Sequence, residues 1–158
     1  MRDLLPYAAQ CKRELDRLRI RYAADITFAV NTRAKRRLGV CKKTGDRYRI
    51  EIAASLLDER ASEALLKETL LHELLHTCYG CMKHTGRWKA LADRVNAAYG
   101  YHITRAAEED VLPEALTEQP RYRVTCPHCG AVYERCKRSP FIQHPERYRC
   151  GKCKMPLG

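Results

Sequence analysis

A mixed α+β body followed by a small, metal-stapled β module is the fold class predicted by this 158-residue sequence. Three observations predict it. A leucine-rich pattern of helical spacing runs over 62–79. Alternating stretches rich in β-formers lie before it, at 26–31 and 36–53. Two CxxC pairs then punctuate a basic tail, residues 121–158.

Each element can be justified in order. Residues 3–20 (DLLPYAAQCKRELDRLRI) place Leu4, Ala8, Cys11, Leu15 and Leu18 at helical spacing. ITFAVN at 26–31 alternates and predicts a strand. RRLGVCKK (36–43) and RYRIEIA (47–53) flank Thr44-Gly45-Asp46, the signature of a hairpin. Ser62 suits an N-cap, and Leu65, Leu66, Leu70, Leu71, Leu74 and Leu75 carry the next helix to about Tyr79, with Gly80 as its stop. A further helix is expected from about Thr85 to Ala98, ended by Gly100. Acidic residues and prolines mark AAEEDVLPEALTEQP (106–120) as linker-like. The division that results is a body over 1–112, a linker over 113–120 and a four-cysteine module over 121–158.

Charge and cysteine usage narrow the function classes. Residues 121–158 carry 9 Lys and Arg against 2 Glu, so +7 of the chain's +11 sits in its last quarter. A surplus of that sign suits a polyanionic partner, most often nucleic acid. No apolar run approaches the roughly 20 residues of a membrane span. The start MRDLLPYAAQCKREL turns charged too early for a secretory signal. Nine cysteines, an odd number, fit metal ligation or plain burial in a reducing compartment better than disulfides. The expected location is cytoplasmic, and nucleoid association is compatible with it.

The chemistry concentrates in HELLHTCYGCMKHTGRW, residues 72–88. His72 and His76 are four residues apart on a helix, so both imidazoles leave one face and can grip one zinc ion. Glu73 lies one position round, placed to serve as a general base toward water at the metal. A hydrolytic zinc needs a third protein ligand and an open position. His84, beyond Gly80, is the expected third ligand, with His102 as the substitute. Tyr99, Tyr101 and His102 are the candidates for steadying an oxyanion. Cys78 and Cys81 form a CxxC beside the site. They could block the open position or be redox-active, but such cysteines more often only pack, as is expected of Cys11 and Cys41.

KETLLHELLHTCYG followed by HTGRW resembles the SprT-like (Spartan) zinc metalloprotease family, as does the basic hairpin RAKRRLGVCKKTGDRYRIEIAASLLD. CPHCG and RCGKC resemble the zinc ribbon carried by many of its members. The resemblance implies a compact zincin-like α+β domain with a short active-site helix. It implies zinc on His72, His76 and His84, Glu73 as the catalytic glutamate, and Trp88 packed behind the site. It also implies cleavage of proteins bound or crosslinked to DNA.

Cys126-x-x-Cys129 and Cys150-x-x-Cys153 are separated by twenty residues. Each CxxC turn aims two sulfurs at one metal, and two such turns complete a closed tetrahedron, the mark of a structural zinc. Cys136, His128 and His144 lie between the pairs as possible exchanged ligands. The chain is therefore expected to hold two zinc ions, one catalytic and one structural. RYR precedes each pair. If both copies are strands, Arg121 with Arg123 and Arg147 with Arg149 share a face, and Tyr122 and Tyr148 take the other. Such arginines can bind phosphates while Tyr133 and Phe141 stack on bases. The hairpin cations Arg33, Lys35, Arg36, Arg37, Lys42 and Lys43 could extend the surface. The expected function is a zinc metallopeptidase acting on proteins held on DNA, single-stranded or crosslinked, and recruited through the ribbon. The alternative is a catalytically silent, zinc-containing nucleic-acid-binding module.

Overall fold

Residues 1–105, 116 and 120–158 are described by the structure, a computed structural model. The linker expected over 113–120 falls largely outside them. The chain divides into two units, Met1–Thr117 and Glu118–Gly158.

In the first unit, α1 (Leu4–Arg17) starts at Asp3, whose carboxylate accepts from the Leu5 amide. Pro6 falls in the first turn, where its missing N–H breaks no helical bond. Strand β1 (Ile26–Asn31) ends where the Asn31 side chain accepts from the amides of Arg33 and Ala34, each at 3.0 Å. That local turn bends the chain and delays the next strand. Consequently β2 spans Gly39–Thr44 rather than beginning at 36, and Arg36 and Arg37 stay outside the ladder. Strand β3 (Arg47–Ala53) pairs antiparallel with β2, Thr44 opposite Arg47, and parallel with β1. The sheet order is β1-β3-β2, so β2 is an edge and β3 is central. Ile50 and Ile52 of β3 are fully buried, whereas Arg47 and Arg49 on the opposite face are exposed.

Helix α2 (Glu63–His76) is the axis of this unit. Ser62 caps it, accepting from the Leu65 amide. Leu65, Leu66, Leu70, Leu71, Leu74 and Leu75 are all buried, and so are Thr69, Glu73 and His76 on its remaining face. A helix apolar nearly all round belongs inside, and each buried leucine contributes about 1.5–3 kcal/mol. The helix stops three residues earlier than its sequence pattern suggests. Thr77 and Cys78 donate to Leu74 and Leu75, tightening the last turn, and the Thr77 hydroxyl donates to the Leu74 carbonyl at 2.7 Å.

Helix α3 (Gly86–Tyr99) ends at Gly100, whose φ of 73° is the left-handed cap that glycine adopts without strain. Beyond it, the Asn96 side chain clasps the backbone of Ile103 from both sides, at 3.0 and 2.8 Å. Residues 101–104 are thus tied to α3, and the His102 amide, donating to the Glu68 carboxylate at 2.9 Å, holds them along α2. Glu14 of α1 anchors the same segment: it receives the Lys67 ammonium at 2.6 Å and the Tyr101 hydroxyl at 2.9–3.0 Å.

The second unit has its own small core of Val124, Cys126, Cys150 and Leu157. Strands β4 (Tyr122–Thr125) and β5 (Val132–Arg135) pair antiparallel. A single turn of helix, α4 (Pro140–Gln143), and a 3-10 turn (Pro145–Arg147) follow. One expectation is corrected here. The second RYR is not a strand, because Arg147 closes the 3-10 turn and Arg149 makes only an isolated bridge to Pro156. Pro145, which lacks an N–H, sets that turn.

Candidate metal centres and the cleft

His72 and His76 project from one face of α2, and His84 returns from the loop ahead of α3. Their Nε2 atoms stand 2.9 Å (His84–His72), 3.0 Å (His76–His84) and 3.3 Å (His76–His72) apart. Zinc–nitrogen bonds of about 2.0–2.1 Å in a tetrahedron would separate ligand nitrogens by about 3.3 Å. The other ring nitrogens fix the tautomers. Nδ1 of His72 lies 2.8 Å from the Thr104 carbonyl and Nδ1 of His76 lies 2.7 Å from the Cys81 carbonyl. A carbonyl only accepts, so each Nδ1 carries the proton and each Nε2 presents a lone pair. Burial and then the neighbouring imidazoles push the His72 pKa down to about 4, and burial lowers those of His76 and His84. Two Nε2 lone pairs fixed in this way, with the His84 Nε2 facing both, fit a cation. These residues could hold one zinc ion.

Trp88 lies behind this triad, 2% exposed, with its ring centroid 4.6–5.5 Å from all three imidazoles. Its Nε1–H donates to the His72 carbonyl at 3.4 Å. Glu73 is 6% exposed and lines the same cleft, about 850 Å³ in volume. Burial raises its pKa to about 7, against the opposing pull of Arg37.

The other sequence candidates separate cleanly. Of the three oxyanion candidates, Tyr99 donates to the Glu14 carbonyl and Tyr101 to the Glu14 carboxylate, so both are committed to packing α1. His102 lines the cleft, but it does not join the histidine triad. Cys78 and Cys81 are buried, their sulfurs directed at the carbonyls of Leu74 and Tyr79, and neither belongs to the triad's cluster. Cys11 is fully buried, and Cys41 lines the cleft. Several site residues escaped the sequence reading: Arg105, Gly39 and Thr69 in the cleft, and the carbonyls of Thr104 and Cys81 that meet the imidazoles. Carbonyl partners leave no side-chain signal at all.

In the second unit, Cys126, Cys129, Cys150 and Cys153 converge. Sγ pairs lie 3.6 Å apart (Cys126–Cys153 and Cys129–Cys150), near the roughly 3.8 Å set by zinc–sulfur bonds of about 2.3 Å. The two turns are built alike. Gly130 donates to Cys126 and Lys154 to Cys150, and both residues have left-handed φ, 75° and 65°. The Tyr133 hydroxyl accepts from the Gly151 amide at 2.9 Å and stands 3.1 Å from the Cys150 sulfur. That contact first, then the Cys153 amide, pulls the Cys150 thiol down to about 5. Tyr133 therefore packs on the second unit's own core rather than offering a free stacking surface. The four thiols could hold zinc, and Cys136, His128 and His144 do not join them.

Arg121, Arg123, Arg147 and Arg149 are exposed, but Arg123 is paired with Glu134 at 2.7 Å. Tyr122 is half-buried, and Tyr148, 40% exposed, meets Phe141 edge-on at 5.2 Å. Among the described residues no helix is long and apolar enough to cross a membrane.

A buried helix bearing HELLH, a third histidine returned by a loop, and a glutamate in the adjoining cleft bring a possible metal site and a carboxyl group together. The chain belongs to the SprT-like family, whose model matches residues 6–107. No curated protein matches the chain. The family match ends before the four cysteines, which are consistent with a zinc ribbon.

Proposed function

We propose that the first unit is a zincin-like, zinc-dependent peptidase and that the second is a zinc ribbon that brings it to DNA. The observation that carries the reading is the convergence of three imidazole Nε2 atoms in the cleft that the buried Glu73 also lines. His72, His76 and His84 would hold the catalytic zinc, and the four cysteines a structural one. Zinc at the triad supplies a Lewis acid that polarises the scissile carbonyl and lets water attack near neutral pH.

The chain's own residues do the rest. The Thr104 and Cys81 carbonyls hold two imidazoles in the ligating tautomer. Glu73, as carboxylate, takes a proton from the attacking water and passes it to the leaving amine. A pKa near 7 suits both transfers, since the group must accept and release at working pH. His102, at the cleft wall, is the candidate donor to the developing oxyanion. The cleft's 850 Å³ accommodates an extended peptide segment better than a folded domain.

The basic ribbon supports recruitment to DNA. Arg121 and Arg147 are exposed, and Tyr148 backed by Phe141 offers a face for a base. The protein would then act in the cytoplasm on proteins bound or crosslinked to DNA. A gel time course of a DNA-crosslinked protein, with and without single-stranded DNA, tests this reading with Glu73→Gln as control. Cleavage that needs both DNA and Glu73 supports it. Cleavage without DNA discards the ribbon's role, and no cleavage by zinc-loaded protein discards the peptidase.

A further inference from the structure

We propose that Gly39 is a positioning residue for Glu73, its missing side chain leaving the slot in which the glutamate stands. The inference rests on the peptidase reading above. Gly39 opens the edge strand β2 opposite Ile52 and lies directly against α2. A Cβ built on it would meet Cγ2 of Thr69 at 2.9 Å, and Cγ and Oε1 of Glu73 at 3.1 Å each. Carbon contacts settle at about 3.5–4.0 Å, so a methyl group there must displace something.

Backbone geometry does not require this glycine. Left-handed φ among the glycines is confined to Gly45, Gly80, Gly100 and Gly130, so residue 39 could be any L-amino acid if space allowed. Nor is Thr69 free to yield. It is buried, and its hydroxyl donates to the Leu65 carbonyl at 2.8 Å. The α2 backbone that carries it is held by the buried Leu65, Leu66, Leu70 and Leu71 on either side. The Glu73 side chain has rotatable bonds and a cleft beside it, so it is the group that moves. Cys41, on the same face of β2 as Gly39, lines the same cleft as Glu73.

A general base must lie within about 2.6–3.2 Å of the proton it takes. A displacement of about 1 Å can reduce turnover on the order of a hundredfold. The histidine triad is held from elsewhere, by Thr104, Cys81 and Trp88, so metal binding does not depend on residue 39. A methyl at 39 would therefore separate turnover from metal content.

The test uses the full zinc-loaded chain in a Thr69→Ser background, which removes the shortest contact but keeps the hydroxyl. Gly39→Ala is made there with Glu73 intact and with Glu73→Ala. Zinc content, melting temperature, kcat and KM for an unstructured protein substrate are measured. With Glu73 present, Gly39→Ala should lower kcat at least tenfold, hold KM within twofold, leave zinc unchanged and lower Tm by several degrees. With Glu73→Ala the same change should leave Tm level or raise it, because alanine restricts the unfolded chain more than glycine. A kcat within twofold of the parent, or an equal Tm loss in both backgrounds, overturns the positioning role while the peptidase stands. A parent no more active than Glu73→Ala overturns both, and the Tm comparison still reports whether the two side chains compete for the slot.

Discussion

The two candidate metal centres are built on opposite plans. Three imidazoles sit on a buried helix and a returning loop, beside an 850 Å³ cleft that also admits Glu73. Four thiols sit on two matched turns whose sulfurs face one another, with the Tyr133 hydroxyl against one of them. With zinc bound, the first arrangement would leave a coordination position for chemistry, and the second would close every position for stability. Support differs as well. The triad rests on a core of some twenty buried side chains, whereas the second unit's core has four, two of them cysteines of the cluster. The lesson is that metal removal should cost activity in one unit and the fold itself in the other.

The strongest way to break that contrast is to remove a ribbon ligand. Cys150→Ser should unfold the second unit, because structural zinc contributes on the order of 10 kcal/mol to such modules. The first unit should keep its own thermal transition, which calorimetry of the whole chain would resolve. If both transitions move together, the two units are not independent.

Removing chemistry from the other centre comes next. Glu73→Gln should lower turnover by about 10²–10⁴-fold while zinc bound by the histidines stays constant. Metal analysis paired with the peptidase assay checks both halves. Turnover that survives would mean another group takes the proton.

A core substitution measures how far the triad depends on packing. Leu70→Ala, at a fully buried position on α2, should destabilise the first unit by about 2–5 kcal/mol in urea and leave the ribbon transition unmoved.

The smallest effect compares the two cysteine turns. Lys154 holds a left-handed φ that Gly130 holds in the matching turn. Lys154→Gly should stabilise the ribbon by up to about 1 kcal/mol, and Gly130→Ala should destabilise it by about as much. Thermal unfolding of the second unit reads both. A loss in Lys154→Gly would show that the Lys154 ammonium on the Gly151 carbonyl outweighs the strain.

Periodicity and spacing were informative where one physical rule dominates. β1 falls on 26–31 as its alternation predicts, and Ser62 and Gly100 cap the helices expected of them. The three histidines and both cysteine pairs come together as their spacing requires. Legibility failed where tertiary contacts decide. Thr77 ends α2 before Gly80 can, by turning its hydroxyl onto Leu74. Tyr99 and Tyr101 looked available to an oxyanion but serve Glu14 across 85 and 87 residues of chain. The second RYR loses its strand to Pro145. Gly39 looked like an ordinary residue in the hairpin's first arm, since nothing local shows that Glu73 lies against it.

The central claim, two zinc centres of unlike character in one chain, is tested most directly by native mass spectrometry during slow chelation, with peptidase activity followed in parallel. The prediction is two zinc ions at the start, loss of one with loss of hydrolysis while the ribbon stays folded, and recovery of both on adding zinc back. A chain that starts with one zinc, or that keeps cleaving after the first ion has gone, would contradict it.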